Sequence, residues 1–378
     1  MRKIRFMILE SQVIFLDTSI FFSENFIEGT KLNQLTKTAS KEGLKIKIVD
    51  ITYNECLKRI ESSISKTKTI FKQVNASLNG DGRILRNLPE YQVYYKIPKR
   101  FTLVDENDKM IKIFDDFLHS NKIEVIDSSF ANHKDVFDKY FKKEPPFGTG
   151  QKKDEFPDAF VLDCIEKYCL KYKTTCFLVS TDNDMLSYQS KIIHFREGLP
   201  AMLDTFVRAS EVYKELYNFM KDKISYCSEE IQEKLIGNED DLSVLLYESL
   251  IYDPHYEELE YEPGEILMVE MDSHYIMSLN EEETEAEIEF DLCIRIPLFY
   301  NDLSMAHYDK EDGRYWNVTN IAENSVYKLK VSSRALFEYL FKGDLPIDFE
   351  DIQLSEFQLL SWEKLEENIE EKSEYTDW

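Results

Sequence analysis

Four acidic side chains in the first half of the chain stand at junctions between predicted elements. Asp17 ends the run VIFLD, Glu55 lies in IVDITYNE, Asp158 lies in KKDEFPDA, and Asp182 lies in CFLVSTDND. Short apolar runs separated by helical segments predict a parallel sheet covered by helices on both faces. Ligands of such a sheet bind beyond the carboxyl ends of its strands. We therefore expect these four side chains, although distant in sequence, to converge at one edge of the sheet.

The first half of the chain, residues 1–205, alternates short strands with helices and is predicted to form one α/β domain. The predicted strands are Val13–Leu16, Ile46–Val49, Ile123–Ile126, Phe177–Ser180 and Ile192–Phe195. Their continuous apolar character predicts a Rossmann-like, three-layer fold whose sheet is buried on both faces. Residues 79–104, with several Gly, Pro and Tyr residues, are interpreted as an inserted loop.

The pattern changes past residue 205, which predicts a second domain over residues 206–378. Apolar and polar residues alternate strictly from Ala286 to Leu298, as is typical of a half-buried strand in an antiparallel sheet. Helical segments precede this strand, so the second domain is predicted to be α+β. A helix is also predicted at the end of the chain, from the spacing of Phe357, Leu360, Leu365 and Ile369.

The net charge of −26 is distributed unevenly. Residues 1–214 carry 34 Lys and Arg against 30 Asp and Glu residues, whereas residues 215–378 carry 12 against 42. The first region can approach a polyanion, and the second repels one. We therefore expect the two domains to have separate roles. For the acidic C-terminal domain the alternatives are a solvated sheet face and a module that binds a regulatory protein partner.

Cysteine and histidine usage argues against zinc chemistry and against a disulfide framework. The six cysteines form no CxxC pair, and the six histidines form no HExxH pattern. The basic and then apolar residues MRKIRFMILESQVIFLD are interpreted as leading into a strand and not as a targeting signal, because Glu10 and Gln12 interrupt the apolar stretch. No apolar run reaches the roughly 18 residues of a membrane span. A cytoplasmic location is therefore expected.

The four junction carboxylates predict a metal site. Carboxylates a few ångströms apart raise each other's pKa, so they remain ionised together only when a cation neutralises them. Oxygen ligands of this kind favour a hard divalent ion, Mg²⁺ or Mn²⁺. Such an ion activates water and neutralises phosphoryl oxygens, as phosphodiester hydrolysis requires.

The order of LDTS, TYNE, EFPDA and STDND resembles the PIN-like nuclease family over about residues 11–200. The KK-x-EFPDA stretch is similar to a bacterial group of PIN-like proteins. The resemblance implies that one or two divalent ions are held by Asp17, Glu55, Asp158 and Asp182, with Asp184 as a less constant fifth acid. It also implies that these acids are oriented by the hydroxyl residues Thr18, Ser19 and Thr181.

The resemblance further implies an activity and a setting. Members of the family cut phosphodiesters, most often of RNA, by metal-activated water, so an endoribonuclease is expected. The setting that the resemblance favours is a bacterial toxin or defence effector. Lys152 and Lys153, close to Asp158, are predicted to contact the phosphate backbone without sequence preference. Homo-oligomerisation is left open.

Each predicted site residue also has a structural interpretation. Asp17 can close its strand with an Asx-type turn, and Glu55 can form a capping box with Thr52. Asp158 can complement a helix dipole, and Asp182 can cap the next helix. Lys152 and Lys153 can be solvated loop charges. Two functional alternatives stand beside endoribonuclease: a structure-specific DNA nuclease, and a PIN-like scaffold that binds RNA or protein without cutting.

Overall fold

A five-stranded parallel sheet forms the centre of the first of two units. The computed structural model describes residues 9–23, 26–96, 103–147, 155–210, 213–250, 257–302, 307–309, 314–316, 318–342, 345–366 and 369–372. The chain divides into residues 1–202 and residues 203–378. The strands of the first sheet are β1 (Val13–Leu16), β2 (Lys45–Val49), β3 (Glu124–Ile126), β4 (Cys176–Ser180) and β5 (Ile193–Glu197). Their order is β3-β2-β1-β4-β5, and all neighbours are parallel.

The order of the strands creates a crevice beside β1. The chain passes outward from β1 to β2 and β3, and then returns to the other side of β1 for β4 and β5. Such a reversal places a ligand crevice beyond the carboxyl ends of the two central strands. β1 and β4 are buried along their whole length, as expected for strands covered on both faces. The predicted parallel α/β fold is therefore confirmed.

In the part of the chain that the structure describes, eight α-helices connect or follow these strands. They are α1 (Thr18–Ser23), α2 (Thr30–Glu42), α3 (Asp50–Asn79), α4 (Leu103–Ser120), α5 (His133–Lys142), α6 (Phe156–Tyr172), α7 (Asn183–Leu186) and α8 (Gly198–Arg208). α2 ends because Gly43 adopts φ 73°, a conformation that favours glycine, and its N–H bonds to the carbonyl oxygens of Ala39 and Ser40. No helix in the described ranges is long and apolar enough to cross a bilayer.

α3 continues well beyond the body of the first unit. Its buried side chains are Thr52, Cys56 and Ile60, all in the first eleven residues of a 30-residue helix. Two 3-10 helices follow it, Asp81–Asn87 and Pro89–Lys96, and a third covers Ser128–Phe130. The prediction of a loop over residues 79–104 was therefore wrong for residues 81–96. Short 3-10 turns need only i→i+3 bonds, such as Arg83 N–H to Gly80 O at 3.1 Å, and so tolerate this Gly- and Pro-containing sequence.

Among its described residues, the second unit combines three further helices with antiparallel strands. The helices are α9 (Lys214–Tyr226), α10 (Ser228–Ile236) and α11 (Glu239–Leu250). The strands of the large sheet are β6 (Glu257–Tyr261), β7 (Glu265–Leu279), β8 (Glu283–Asp302), β11 (Thr319–Lys342), β12 (Leu345–Glu366) and β13 (Ile369–Lys372). β9 (His307–Asp309) and β10 (Arg314–Trp316) pair separately. The order in the large sheet is β12-β11-β8-β6, with β7 also on β8 and β13 on β11.

The alternating strand predicted between residues 286 and 298 is β8. Its apolar side chains, Ala286 through Leu298 at every second position, are fully buried in the core of the second unit. Met220 of α9, Leu235 of α10 and Leu246 of α11 belong to the same core. The prediction of an α+β region with antiparallel strands is therefore confirmed.

The helix predicted at the end of the chain was wrong. Phe357, Leu360 and Leu365 lie in β12, and Ile369 lies in β13. β12 has one extra residue relative to β11 at five places along their pairing. Each such bulge lengthens the spacing of side chains on one face from two residues to three. Apolar residues three to five apart in sequence therefore imitate the period of a helix.

Candidate active site

The four predicted acids meet in one open cleft of about 560 Å³ at the carboxyl ends of β1 and β4. Asp17 directly follows β1, Glu55 lies in the second turn of α3, and Asp158 lies in the first turn of α6. Asp182 is the N-cap residue of α7. Four separate elements thus bring carboxylates that are up to 165 residues apart in sequence to the same cleft.

Asp17 is held in a fixed orientation by three donors. Its Oδ2 atom accepts hydrogen bonds from Ser19 Oγ at 2.6 Å, from Ser180 Oγ at 2.9 Å and from the Ser19 backbone N–H at 3.2 Å. The Asx-type turn and the role of Ser19 in orienting Asp17 therefore coexist. Ser180 was not predicted, although it is the polar residue that ends the otherwise apolar strand CFLVS.

Glu55 is oriented by the neighbouring helix α1. Its Oε2 atom accepts a hydrogen bond of 2.6 Å from Thr18 Oγ1. The alternative capping box with Thr52 was wrong, because α3 begins at Asp50 with Val49 as its N-cap. Thr52 is buried in the first turn, and its hydroxyl oxygen has no hydrogen-bond partner among the described residues. Glu55 consequently does not cap the start of α3, and its carboxylate binds Thr18 of α1.

The pKa of the Asp158 carboxyl group is raised by its surroundings in the cleft. Its burial raises its pKa to about 7, with further contributions from the negative charges of Asp17, Glu55, Asp182 and Glu155. Mutual repulsion therefore adds to desolvation in disfavouring a fourth ionised carboxylate. Asp158 therefore keeps its proton to a higher pH than an ordinary aspartate does.

Asp182 and Asp184 have different positions although they are two residues apart. Asp182 lines the cleft and also caps α7, because its Oδ1 atom accepts a 2.7 Å bond from the Asp184 backbone N–H. Asp184 lies in the first turn of α7 and is not among the residues that line the cleft. Thr181 contributes its backbone N–H, which donates to Ser19 Oγ at 3.0 Å. Lys152 and Lys153 lie outside the described residues.

The cleft also contains side chains that the sequence did not predict. Lys58, Arg59 and Ser62 line it, together with Glu155, which immediately precedes α6. The first three lie three, four and seven residues after Glu55, and these spacings place side chains on the same face of a helix. That spacing is the signal that identifies them. The cleft therefore combines a group of acids with two cations at its margin.

The donor set fits a hard divalent cation. The converging groups are carboxylate and hydroxyl oxygens, which Mg²⁺ and Mn²⁺ prefer. Burial and, after it, the charges of the neighbouring carboxylates raise the pKa of Asp158, and a cation would neutralise those charges. Asp17, Glu55, Asp158 and Asp182 are the side chains that would hold it. As these side chains stand, no group of three or more His, Cys, Asp or Glu residues in the described part of the chain is arranged to hold a metal ion.

Comparison with known proteins finds a match within the first unit. Residues 14–185 match the family model of the PIN domain. No curated protein and no solved structure matches the chain. The matched segment contains all four acids of the cleft and ends before the second unit begins. Over residues 14–185, therefore, the chain matches the PIN domain family, and its five-stranded parallel sheet flanked by helices is consistent with a PIN-like nuclease domain.

Proposed function

We propose that the first unit is a metal-dependent nuclease that hydrolyses phosphodiester bonds, with RNA as the favoured substrate. The observation that carries this proposal is the convergence of Asp17, Glu55, Asp158 and Asp182 in one cleft of a PIN domain. The raised pKa of Asp158 supports it, because uncompensated negative charge at this position is costly without a cation.

We assign different roles to the acidic and the basic side chains of the cleft. Asp17 and Glu55 are pre-oriented by Ser19, Ser180 and Thr18, so they present fixed oxygen atoms without reorganisation. Lys58 and Arg59 supply positive charge beside the acids and are suited to contact phosphates of the substrate. A Mg²⁺ or Mn²⁺ ion, when bound, supplies activated water and neutralises phosphoryl oxygens.

RNA as substrate, and a bacterial toxin or defence role in the cytoplasm, are proposed from the resemblance of the KK-x-EFPDA stretch to bacterial PIN-like proteins. For the second unit we propose a regulatory protein partner. Its excess of acidic residues supports a protein over a nucleic acid, because a surface of that charge repels phosphates.

The direct test compares wild-type protein with Asp158→Asn on matched single-stranded RNA, single-stranded DNA and flap DNA in Mn²⁺. We expect wild-type protein to cut RNA, and the variant to lose at least about 100-fold in rate with an unchanged circular dichroism spectrum. Asp138→Asn, an identical change at an exposed position of α5, is the control and should keep full activity.

The outcome separates the alternatives. Preferential cutting of flap DNA would replace the ribonuclease with a structure-specific DNA nuclease. No cleavage of any substrate by the wild-type protein, despite binding of RNA, would replace it with a scaffold. Equal cleavage by wild-type protein and Asp158→Asn would remove the acidic cleft as the site.

A further inference from the structure

Most of α3 lies outside any core. Every side chain from Glu61 to Asn79 is exposed or only partly covered, and Ile70 and Val74 are 49% and 40% exposed. Helices in proteins draw most of their stability from the packing of one face, and this segment is covered only in part. At 1.5 Å per residue, the segment from Glu55 to Asn79 is about 36 Å long. A helix of this kind suggests a ligand along its surface.

One face of α3 links the cleft to this exposed segment. Lys58, Arg59, Ser62, Lys66, Thr69 and Gln73 follow Glu55 by 3, 4, 7, 11, 14 and 18 residues. These intervals keep side chains on the same face of a helix. The face that presents Glu55 to the cleft thus continues as a stripe of basic and hydroxyl or amide side chains, which are the groups that contact phosphates in nucleic-acid complexes.

The charge of the segment differs from that of the chain. Residues 58–96, called the basic arm below, contain eight Lys and Arg residues against three Asp and Glu residues, a net charge of +5 in a chain of net charge −26. Arg83 and Arg86 line an open hollow of about 580 Å³ at the far end of the arm. Positive charge therefore extends from the cleft to the arm's far end.

The far end of the arm also exposes aromatic rings. Tyr91 is 39% exposed and Tyr94 is 56% exposed. Tyr95 has a different role, because its hydroxyl bonds to the Gly82 carbonyl oxygen and its ring lies 4.8 Å from the Arg86 guanidinium. Tyr95 thus joins the two 3-10 helices and leaves Tyr91 and Tyr94 for solvent. Exposed rings beside positive charge are the combination that binds unpaired bases.

We propose that the basic arm binds single-stranded nucleic acid, with the stripe of α3 contacting successive phosphates and Tyr91 and Tyr94 stacking on bases. The inference rests on the proposed nuclease function and adds how the substrate reaches the cleft. Charge complementarity selects a polyanion as the occupant. The exposed tyrosines select a single strand, since the faces of bases are hidden within a duplex.

The test measures binding without cleavage. Full-length protein is titrated against a fluorescent 12-nucleotide oligouridylate in EDTA at about 0.15 M salt, where screening limits long-range charge effects, and fluorescence anisotropy is read. Lys66→Glu is expected to weaken binding about tenfold and to lower the salt slope by about one. Lys68→Glu makes the same change two residues away on a different face and should alter affinity less than about twofold.

A second pair of measurements tests the rings. Tyr91→Ala/Tyr94→Ala should weaken binding of the oligouridylate about tenfold or more and leave binding of a 12-base-pair RNA duplex unchanged. Equal losses on both probes would overturn the single-strand assignment. Equal affinity of wild type, Lys66→Glu and Lys68→Glu, or no binding at all, would overturn the arm as a nucleic-acid surface.

The binding experiment can fail or succeed independently of the cleavage experiment that tests the nuclease proposal. Asp138→Asn, at an exposed position outside both the cleft and the basic arm, should bind the oligouridylate as tightly as wild-type protein in EDTA. If wild-type protein binds but does not cut in Mn²⁺, and Lys66→Glu still weakens binding, the nuclease proposal fails and the arm assignment stands.

Discussion

The Thr18 hydroxyl donates a 2.6 Å hydrogen bond to the Glu55 carboxylate and so joins the first turn of α1 to the second turn of α3. Removing this donor leaves Glu55 in the cleft without its fixed orientation. We predict that Thr18→Val lowers the rate of RNA cleavage by about 10- to 100-fold, the range seen when a group that orients a metal ligand is lost.

Thr18→Ser keeps the hydroxyl and is the matched control. It should retain most of the activity, measured as kcat at saturating Mn²⁺. Comparable losses in the valine and serine variants would show that packing of Thr18, and not its hydrogen bond, determines the effect.

The raised pKa of Asp158 predicts a pH-dependent stability. The carboxyl group ionises near pH 4 in the unfolded chain and at about 7 in the folded one, so the folded state holds the proton more tightly. Below pH 4 the ionisation of Asp158 therefore does not change the free energy of unfolding. Between pH 4 and 7 it lowers that free energy progressively, and above pH 7 the reduction is constant. At about 1.4 kcal/mol per pKa unit, the full cost is on the order of 2–4 kcal/mol.

Asp158→Asn should accordingly raise the melting temperature in EDTA at pH 8 by roughly 5–10 °C and leave it unchanged at pH 4. Mn²⁺ should raise the melting temperature of wild-type protein and have little effect on the variant. Differential scanning calorimetry with Asp138→Asn as control measures both. A variant that is less stable than wild type at pH 8 would contradict the repulsion described for this cleft.

The positions of Asp182 and Asp184 predict different consequences for the same substitution. Asp182→Asn changes a side chain that lines the cleft, whereas Asp184→Asn changes one beside it. Asparagine remains a good N-cap, so α7 should persist in both variants. We expect cleavage to fall at least about 100-fold for Asp182→Asn and less than about threefold for Asp184→Asn. A similar loss of cleavage rate in both variants would support Asp184 as a fifth metal ligand.

A buried carboxylate in the second unit predicts a stability effect that is independent of the cleft. Glu323 is 1% exposed and accepts bonds from Lys364 Nζ at 2.9 Å and Tyr327 Oη at 2.9 Å. Lys364→Met should lower the free energy of unfolding by about 3 kcal/mol, because it leaves a buried charge without its cation. All three Trp residues lie in the second unit, so Trp fluorescence in urea reports on that unit alone.

The double variant Lys364→Met/Glu323→Leu provides the comparison. Removing both partners should restore most of the lost stability, since no buried charge remains. If the double variant were as unstable as the sum of its single variants, the two side chains would not be coupled.

The sequence predicted the parallel sheet and the acidic cleft for one physical reason. A strand buried on both faces is a continuous apolar run, and the polar residues that follow it lie beyond the strand's carboxyl end, as Asp17 and Asp182 do. Ser180 was missed because its hydroxyl reaches Asp17 only once β1 and β4 are neighbours. The bulged strands at the end of the chain were missed because the partner strand sets their register.

The bulges of β12 have a consequence for association between molecules. β12 lies at one end of the strand order, and the residues inserted at its irregular points include Ile347, Leu360 and Leu365, each more than 40% exposed. A flat, apolar edge strand of this length would offer its unpaired backbone N–H and C=O groups to a strand of another molecule. Because the regular pairing of β12 with β11 is interrupted at least every five residue pairs, the bulges bend β12 and disfavour the pairing of a further strand from another molecule along it.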